Sequence, residues 1–344
     1  MLLSREKVSV TDAIDRLAGM QAQEAKPPFL GLWSRLQGFE REHLILALRK
    51  RTVIRATLMR GTLHLMTQKD FLRVRGAIQP ALDRGLKSIL RDRLGALDLA
   101  AVLTEATAWF GADAHTFDDL RVHFTSKWPK ADIRAMAYAA RLKLPLIMVP
   151  TDAPWGYPGA AEFTLVGWKF AAADVEALVT RYLGAFGPSS VADMQSWSAL
   201  DKLQPTFDAM RSKLVVFESD KKRELFDLPK APRPEEDTDA PVRFLPEFDN
   251  FVLAHADRSR LIDDEHRSKV VTKNLRVRAT FLIDGRVAGT WKLDRKKTTA
   301  TVTLEPFVKL TKTARALLEE EGVGVARFYE PDATQHEIIV GAPS

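Results

Sequence analysis

The sequence contains no cysteine, which excludes disulfides, thiolate metal sites and a cysteine nucleophile. It also has no apolar run close to the roughly 18 to 20 residues that a membrane-spanning helix needs. The N-terminus, MLLSREKVSV, lacks the charged segment followed by an apolar stretch that is typical of a secretory signal. A glycine-rich phosphate loop is missing as well. We therefore expect a cytoplasmic protein that does not contact a membrane.

The length and the charge balance set broader limits. A chain of 344 residues exceeds one ordinary core and predicts two to four modules. A hydrophobic content of 46% and a charged content of 28% are ordinary for a globular protein. The 51 Lys and Arg residues against 45 Asp and Glu residues give a formal net charge of +6, which permits an anionic partner without requiring one.

The first part of the chain has the pattern of a winged helix. Apolar spacing predicts a helix that begins near Val10 and ends in AGMQAQ, with Gln21 on its apolar face. A buried amide must find hydrogen-bond partners or line a wet cleft. Two more helices are predicted over 28–36 and 40–50, followed by a hairpin over 53–66 that Arg60-Gly61 interrupts.

The same outline recurs twice. Thr116 and Ser190 each stand three residues before an aspartate, as in a helix-capping motif, and each follows a Phe-Gly pair that ends a predicted helix. Two hairpins are predicted, LPLIMVP with AEFTLVG and KLVVFES with RELFDLP. Tandem repeats of one module are the simplest interpretation.

The C-terminal part reads as mostly β. A Pro-rich and acidic linker over 228–241 precedes an alternating stretch over 275–307, in which Asp284-Gly285 predicts a hairpin turn. A helix over 311–321 and strands GVARFYE and HEIIV follow. The predicted fold class is α+β, with three tandem winged-helix modules and a C-terminal β-rich, barrel-like domain with one helix. The predicted boundaries are 1–96, 97–170, 171–241 and 242–344.

Basic residues cluster at predicted helix ends and hairpin tips, where winged helices meet DNA phosphates. The alternative is that such tips are basic only because they are solvated. The candidate DNA contacts are Arg49, Lys50, Arg51, Arg60, Arg141, Lys143, Lys221, Lys222, Arg258, Arg260 and Arg286.

A metal site is not indicated. His255 and His266 lie among several acidic residues, yet no ligand spacing such as HExxH is present. Ser4 and Lys7 satisfy an SxxK pattern, but the partner motifs of that enzyme class do not follow.

Five segments resemble the AlkZ-like DNA glycosylases, over nearly the whole chain and in the family's order. They are AGMQAQ, LMRGTLHLM, RYLGAFGPSSVADMQSWSAL, LPEFDNFVLAHADRSR and FLIDGRVAGTWK. The resemblance implies three tandem winged helices and a β-rich domain curved around double-stranded DNA. It also implies hydrolysis of the N-glycosidic bond of N7-alkylated guanine, in some members including interstrand crosslinks.

The resemblance places the catalytic pair on Gln21 and Gln23. YcaQ-type members carry aspartate at the second position, which this chain does not. Because a cationic N7-alkylguanine is already a good leaving group, we predict that the two amides jointly position a water molecule and contribute to the electrostatics around C1′. No metal and no cofactor are expected. A polar helix end before Pro27 is the structural alternative for the pair.

Other roles stay open at this stage. Arg60, Thr62 and His64 share one strand face, so Arg60 and His64 are candidates for a phosphate or lesion contact, and a buried histidine bonded to a backbone carbonyl is the alternative. The Asp284-Gly285 hairpin with Arg286 is a candidate for probing a DNA groove. We expect a nucleoid-associated monomer that acts as a monofunctional DNA glycosylase. The alternative function is a non-catalytic winged-helix DNA-binding protein or transcriptional regulator.

Overall fold

The computed structural model describes residues 1–272 and 276–343. Its first region contains six α-helices and three short strands. These are α1 (Val10–Arg16), β1 (Met20–Gln21), α2 (Pro27–Trp33), α3 (Arg41–Arg49), β2 (Val53–Thr57), β3 (Leu63–Thr67), α4 (Gln68–Ala77), α5 (Gln79–Leu90) and α6 (Asp92–Gly95).

The end of the first helix differs from the prediction. The Ser9 side chain caps α1, which ends at Arg16, and Ala18 and Gly19 then adopt φ angles of 50° and 90°. This left-handed turn stops the helix, because a right-handed helix cannot continue through it. Gln21 therefore lies in strand β1 and not on a helix face, so that part of the prediction was wrong.

The second region supplies three helices and two very short strands: α7 (Leu99–Ala112), α8 (Phe117–Lys127), α9 (Ile133–Lys143), β4 (Ile147–Met148) and β5 (Phe163–Thr164). The predicted cap is confirmed, since Thr116 and Asp119 form a reciprocal capping box. The strands join those of the first region in one sheet of order β1-β3-β2-β4-β5. Residues 20–67 and 147–164 thus share a single five-stranded sheet.

The third region repeats the helix and hairpin pattern with α10 (Val175–Phe186), α11 (Val191–Ser198), α12 (Gln204–Met210), β6 (Val215–Glu218) and β7 (Glu224–Asp227). Ser190 and Asp193 form the predicted capping box, and β6 pairs with β7 as predicted. The large rings of Tyr182, Phe207 and Phe226 are buried in the core that this region shares with α4 and α5.

The C-terminal region contains an open sheet of order β12-β11-β10-β9-β8 with a helix packed against it. Its elements are β8 (Arg243–Leu245), α13 (Asn250–Leu253), α14 (Arg267–Val270), β9 (Thr280–Ile283), β10 (Arg286–Lys296), β11 (Thr299–Pro306), α15 (Lys312–Tyr329) and β12 (Gln335–Val340). Leu275, where the predicted alternating stretch begins, lies outside the described residues. Asp284 and Gly285, with φ angles of 48° and 72°, make the predicted turn.

Two predictions for this region were wrong. The sheet is not barrel-like, because β12 returns through α15 to lie parallel to β11 and leaves β12 and β8 at opposite edges. GVARFYE is not a strand, because α15 continues to Tyr329. Leu318, Val325 and Tyr329 are spaced for one helix face and are buried against the sheet, which outweighs the local β-branched composition.

The chain is thus a mixed α+β protein. Among the residues that the structure describes, no helix combines the length and the apolar character needed to cross a membrane. Within the same residues, no group of three or more His, Asp or Glu side chains is placed to hold a metal ion.

Candidate active site

Strand β1 and the two residues after it place Gln21 and Gln23 against the start of strand β3. Gln21 is the cross-strand partner of His64, and β3 in turn pairs His64 with Ala56 of β2. Directly opposed residues of paired strands point to the same face of a sheet, so the Gln21 and His64 side chains are neighbours. Beyond β1, the Ala22 N–H donates to Leu63 O at 2.7 Å. The Leu63 N–H donates to Gln23 Oε1 at 3.3 Å.

Arg60 connects these side chains. It lies in the turn between β2 and β3 with a φ angle of 56°. Its Nη2 donates to Gln21 Oε1 at 2.5 Å and lies 3.4 Å from His64 Nε2, while its Nη1 donates to the backbone carbonyl of Trp197. Burial, joined by the positive charge of Arg258, lowers the pKa of Arg60 to about 10. The guanidinium therefore stays charged at neutral pH.

His64 is held as a neutral imidazole. Its side chain is buried with 1% relative exposure, and Nδ1 lies 3.0 Å from Thr62 O. Since a carbonyl can only accept, Nδ1 carries the proton and Nε2 accepts from Arg60. Burial, and then the Arg60 charge, lowers the pKa of His64 to about 3. This geometry is that of a buried histidine bonded to a backbone carbonyl, the second of the alternatives for this residue.

The side-chain amides of Gln21 and Gln23 are oriented alike, with the carbonyl oxygen towards a protein donor. Each carbonyl oxygen accepts from a protein donor, Arg60 for Gln21 and the Leu63 N–H for Gln23. Over residues 1–272 and 276–343, neither amide nitrogen has a protein acceptor, and that of Gln21 is not among the fully buried unsatisfied atoms. Each carbonyl keeps a second lone pair. The pair therefore offers two N–H₂ donors and two lone pairs to a ligand or to water.

Residues from the C-terminal region cover β1 from another side. Asn250 Nδ2 donates to Leu17 O at 3.2 Å and to Gly19 O at 2.5 Å. Arg258 Nε donates to Val252 O at 2.7 Å, which fixes this segment locally. Our sequence analysis missed Asn250, although its position inside DNFVLAHADRSR, one of the strings that carry the family resemblance, was a usable signal.

A pocket of about 460 Å³ opens beside Gln23, between the first and second regions. Arg55 and Arg141 line it together with Tyr157 and Phe117. Our sequence analysis also missed Arg55. The usable signal was a single charged residue inside the string VIRATL, whose other residues favour a buried strand.

The other predicted DNA contacts are spread over several surfaces, and many have partners within the chain. Arg49 pairs with Asp152, Lys143 with Asp83, Lys221 with Asp257 and Arg286 with Asp263, while Arg260 donates to Pro188 O. Lys50, Arg51 and Lys222 are exposed. Ion pairs between exposed side chains are weak, so the partners of Arg49 and Arg286 do not prevent exchange for a phosphate.

Comparisons with known proteins agree over almost the whole chain. The family model described as DNA glycosylase AlkZ-like matches residues 14–328. A relative from Streptomyces sahachiroi, named interstrand DNA cross-link repair glycosylase, is 24% identical over 360 residues, which cover 94% of this chain and 91% of the relative. The solved structure of Streptomyces sahachiroi DNA glycosylase AlkZ is similar with a TM-score of 0.79 at 21% identity, over 99% of this chain and 95% of that one. The structural likeness shows a shared fold.

Proposed function

Because the chain belongs to the AlkZ-like family of DNA glycosylases, we propose that it hydrolyses the N-glycosidic bond of N7-alkylguanine in double-stranded DNA. The observation that carries the proposal is the Gln21 amide, which Arg60 orients at 2.5 Å and which still lacks a protein partner on its nitrogen. That nitrogen is not among the fully buried atoms without a partner, so water or a ligand can reach it.

The chemistry suits neutral amides. Alkylation at N7 makes the guanine cationic, so it leaves as a neutral base when the C1′–N9 bond breaks and its electrons go to N9. The sugar passes through an oxocarbenium-like transition state. Water then adds to C1′ and releases a proton to solvent. A carboxamide has no useful pKa, so it positions the water and does not deprotonate it.

We assign the same two roles to both glutamines on the basis of their contacts. With Oε1 of Gln21 held by a guanidinium, the reversed amide would put N–H₂ against N–H donors, so the orientation is fixed. The remaining lone pairs of Gln21 and Gln23 accept from the attacking water. Their N–H₂ groups donate to acceptors on the nucleotide.

We further propose how the whole chain meets DNA. The modules are winged helices over 1–96, 97–170 and 171–241, followed by a domain over 242–344, and the enzyme works as a nucleoid-associated monomer. The proposed phosphate contacts are those given by the sequence except Arg60: Arg49, Lys50, Arg51, Arg141, Lys143, Lys221, Lys222, Arg258, Arg260 and Arg286. For Arg60, the proposal changes from a phosphate contact to a side chain that orients the Gln21 amide. For His64, the proposal changes from a DNA contact to a neutral acceptor that helps hold Arg60.

Interstrand crosslinks belong to the proposed substrates. The Streptomyces sahachiroi relative is named for their repair. An alkyl group at N7 projects into the major groove, and a crosslinked base cannot swing freely out of the duplex. Glycosylases that flip a base would be hindered by this. A site that positions water at the sugar is compatible with a base that stays near the stack.

The test is a base-release assay on duplexes that contain either an N7-methylguanine or an N7-linked crosslink. We expect the wild type to release the alkylated base and to leave an undamaged duplex intact. Gln21→Ala and Gln23→Ala should lose release while they keep DNA binding. Tight binding to an undamaged operator without any base release would instead support a transcriptional regulator.

A further inference from the structure

The pocket beside Gln23 contains a guanidinium that is bonded to the glutamine motif itself. Arg55 has 4% relative exposure, and its Nε donates to Ala22 O at 2.9 Å while its Nη2 donates to Gln23 O at 3.0 Å. Its guanidinium carbon lies 4.8 Å from the centre of the Tyr157 ring. These contacts use backbone carbonyls and a ring, so no carboxylate neutralises the charge.

A second cation faces the same pocket. Arg141 lies in the last turn of α9, and its guanidinium carbon lies 5.9 Å from the centre of the Phe117 ring. In the described parts of the chain, its guanidinium makes no hydrogen bond and no ion pair. Burial lowers the pKa of Arg55 to about 10, and the positive charge of Arg141 contributes to that shift. The two charges therefore act on each other.

The acidic residues that line the pocket do not neutralise the charges of Arg55 and Arg141. Glu24 and Asp118 also line it, but both are exposed, and they pair with Arg276 and Arg121 respectively. Partly buried cations without a counter-charge are costly. An anion bound between Arg55 and Arg141 would offset this cost, and planar guanidinium groups match the oxygen geometry of a phosphate.

We propose that this pocket binds one backbone phosphate of the damaged DNA strand, held by Arg141 and by the N–H groups of Arg55 that Ala22 and Gln23 leave free. The inference rests on the proposed function. A cationic N7-alkylguanine would be repelled by two unpaired cations, so the pocket suits the phosphate and not the base. Because Arg55 also holds the Gln23 backbone, the bound phosphate and the glutamine motif are placed by one rigid side chain.

The experiment combines a protein variant with single methylphosphonates, which remove one backbone charge each, placed in turn around an N7-methylguanine. We expect one position at which the methylphosphonate weakens wild-type binding about tenfold, the size of one lost charge-assisted hydrogen bond. Arg141→Ala should lose about the same on normal DNA, and the methylphosphonate at that position should weaken its binding much less than it weakens wild-type binding, since only Arg55 is left to contact the phosphate. Its slope of log affinity against log salt should fall by about 0.9.

The matched control is Arg134→Ala, which removes an exposed arginine from the same helix. This variant should respond to the methylphosphonate as the wild type does. Because Arg141 is an unpaired charge, Arg141→Ala should melt at or above the wild-type temperature. If it melts lower, Arg141→Lys keeps the charge and must then keep the coupling to the same phosphate.

Additive effects of Arg141→Ala and the methylphosphonate at every position would overturn the phosphate site. So would unchanged binding by Arg141→Ala. Base release by the wild type on unmodified damaged DNA is measured in parallel. Coupling without base release would support the phosphate site and reject the proposed activity. Base release without coupling would support the activity and reject the phosphate site.

Discussion

Arg60 is the residue through which the other polar groups of the site are connected. Its left-handed backbone turns the side chain back over the sheet, where one guanidinium nitrogen meets both the Gln21 carbonyl and the neutral ring nitrogen of His64. Non-glycine residues adopt this backbone at a cost, so the surrounding contacts must stabilise it. The fixed guanidinium in turn fixes the Gln21 amide, which makes Arg60 a positioning residue for the proposed reaction.

Arg60→Met should therefore slow base release without a comparable loss of DNA binding. We expect single-turnover rates to fall about 10- to 100-fold, the range for losing a positioning interaction made in the transition state. Arg60→Lys should recover part of the rate, since it keeps a donor. In the double variant with Gln21→Ala, the two losses should be strongly non-additive. Fully additive losses would show that Arg60 does not act through Gln21.

Because His64 is buried as a neutral imidazole, we expect the stability of the protein to decrease in acid. The unfolded chain binds a proton at a pKa of about 6.5, whereas in the folded protein burial and Arg60 lower the pKa of His64 to about 3. The contribution of His64 to the free energy of unfolding is therefore fully present above pH 6.5 and is lost as the pH falls from 6.5 towards 3. The maximal slope is about 1.4 kcal/mol per pH unit. Urea unfolding at pH 7.5 and 5.0 should show a larger loss for the wild type than for His64→Asn. Equal losses would mean that His64 is protonated in the folded protein.

Among the elements, strand β1 has only two residues, as do β4 and β5, and carries Gln21 at a sheet edge. Its two residues pair with β3 alone, and Gly19 precedes them with a φ angle of 90°. A Cβ atom on Gly19 would lie 2.8 Å from Leu65 O, a backbone atom of the paired strand. Strand pairing at β1 thus depends on a residue without a side chain.

Gly19→Ala should accordingly push β1 away from β3 and disturb Gln21. We expect a loss of about 1 to 3 kcal/mol in the free energy of unfolding and a large loss of base release. Gly85→Ala, in α5, is the matched control, since a Cβ there meets nothing within 4 Å. That variant should be as stable as the wild type or slightly more stable. If Gly19→Ala kept full activity, the position of β1 would not determine catalysis.

The elements also show which features the sequence could predict. The capping boxes at Thr116 and Ser190 and the hairpin turn at Asp284-Gly285 were predicted correctly, because each depends on residues a few positions apart. The placement of Gln21 on a helix was wrong, since β1 exists only through its pairing with β3. Local patterns could mark Arg55 and Asn250 but not their contacts with Ala22 and Gly19, because those contacts join segments that are distant in sequence.

At the scale of the whole molecule, a buried ion pair joins the N-terminal helices to the C-terminal region. Arg35 contacts both carboxylate oxygens of Asp249 at 2.7 and 2.9 Å, and the two side chains are 3% and 1% exposed. Asp249 caps α13, whose first residue, Asn250, holds β1. Next to this pair, Ser34 Oγ donates to Phe244 O at 2.5 Å. The C-terminal region is thus linked to the glutamine motif through one short chain of contacts.

Arg35→Met should lower the free energy of unfolding by about 3 to 5 kcal/mol, because it leaves the Asp249 carboxylate buried without its partner. Base release should fall in the same variant at temperatures where it is still folded, since Asn250 would no longer be anchored over β1.

Asp249→Asn keeps an acceptor for the α13 cap and removes the charge, so combining it with Arg35→Met should restore part of the stability. Arg49→Met, which removes one member of an exposed pair, serves as the control and should change stability by less than about 1 kcal/mol. Urea unfolding followed by tryptophan fluorescence measures all four variants. If the double variant were destabilised by the sum of the single losses, Arg35 and Asp249 would not act as a coupled pair, and the proposed link from the C-terminal region to the glutamine motif would fail.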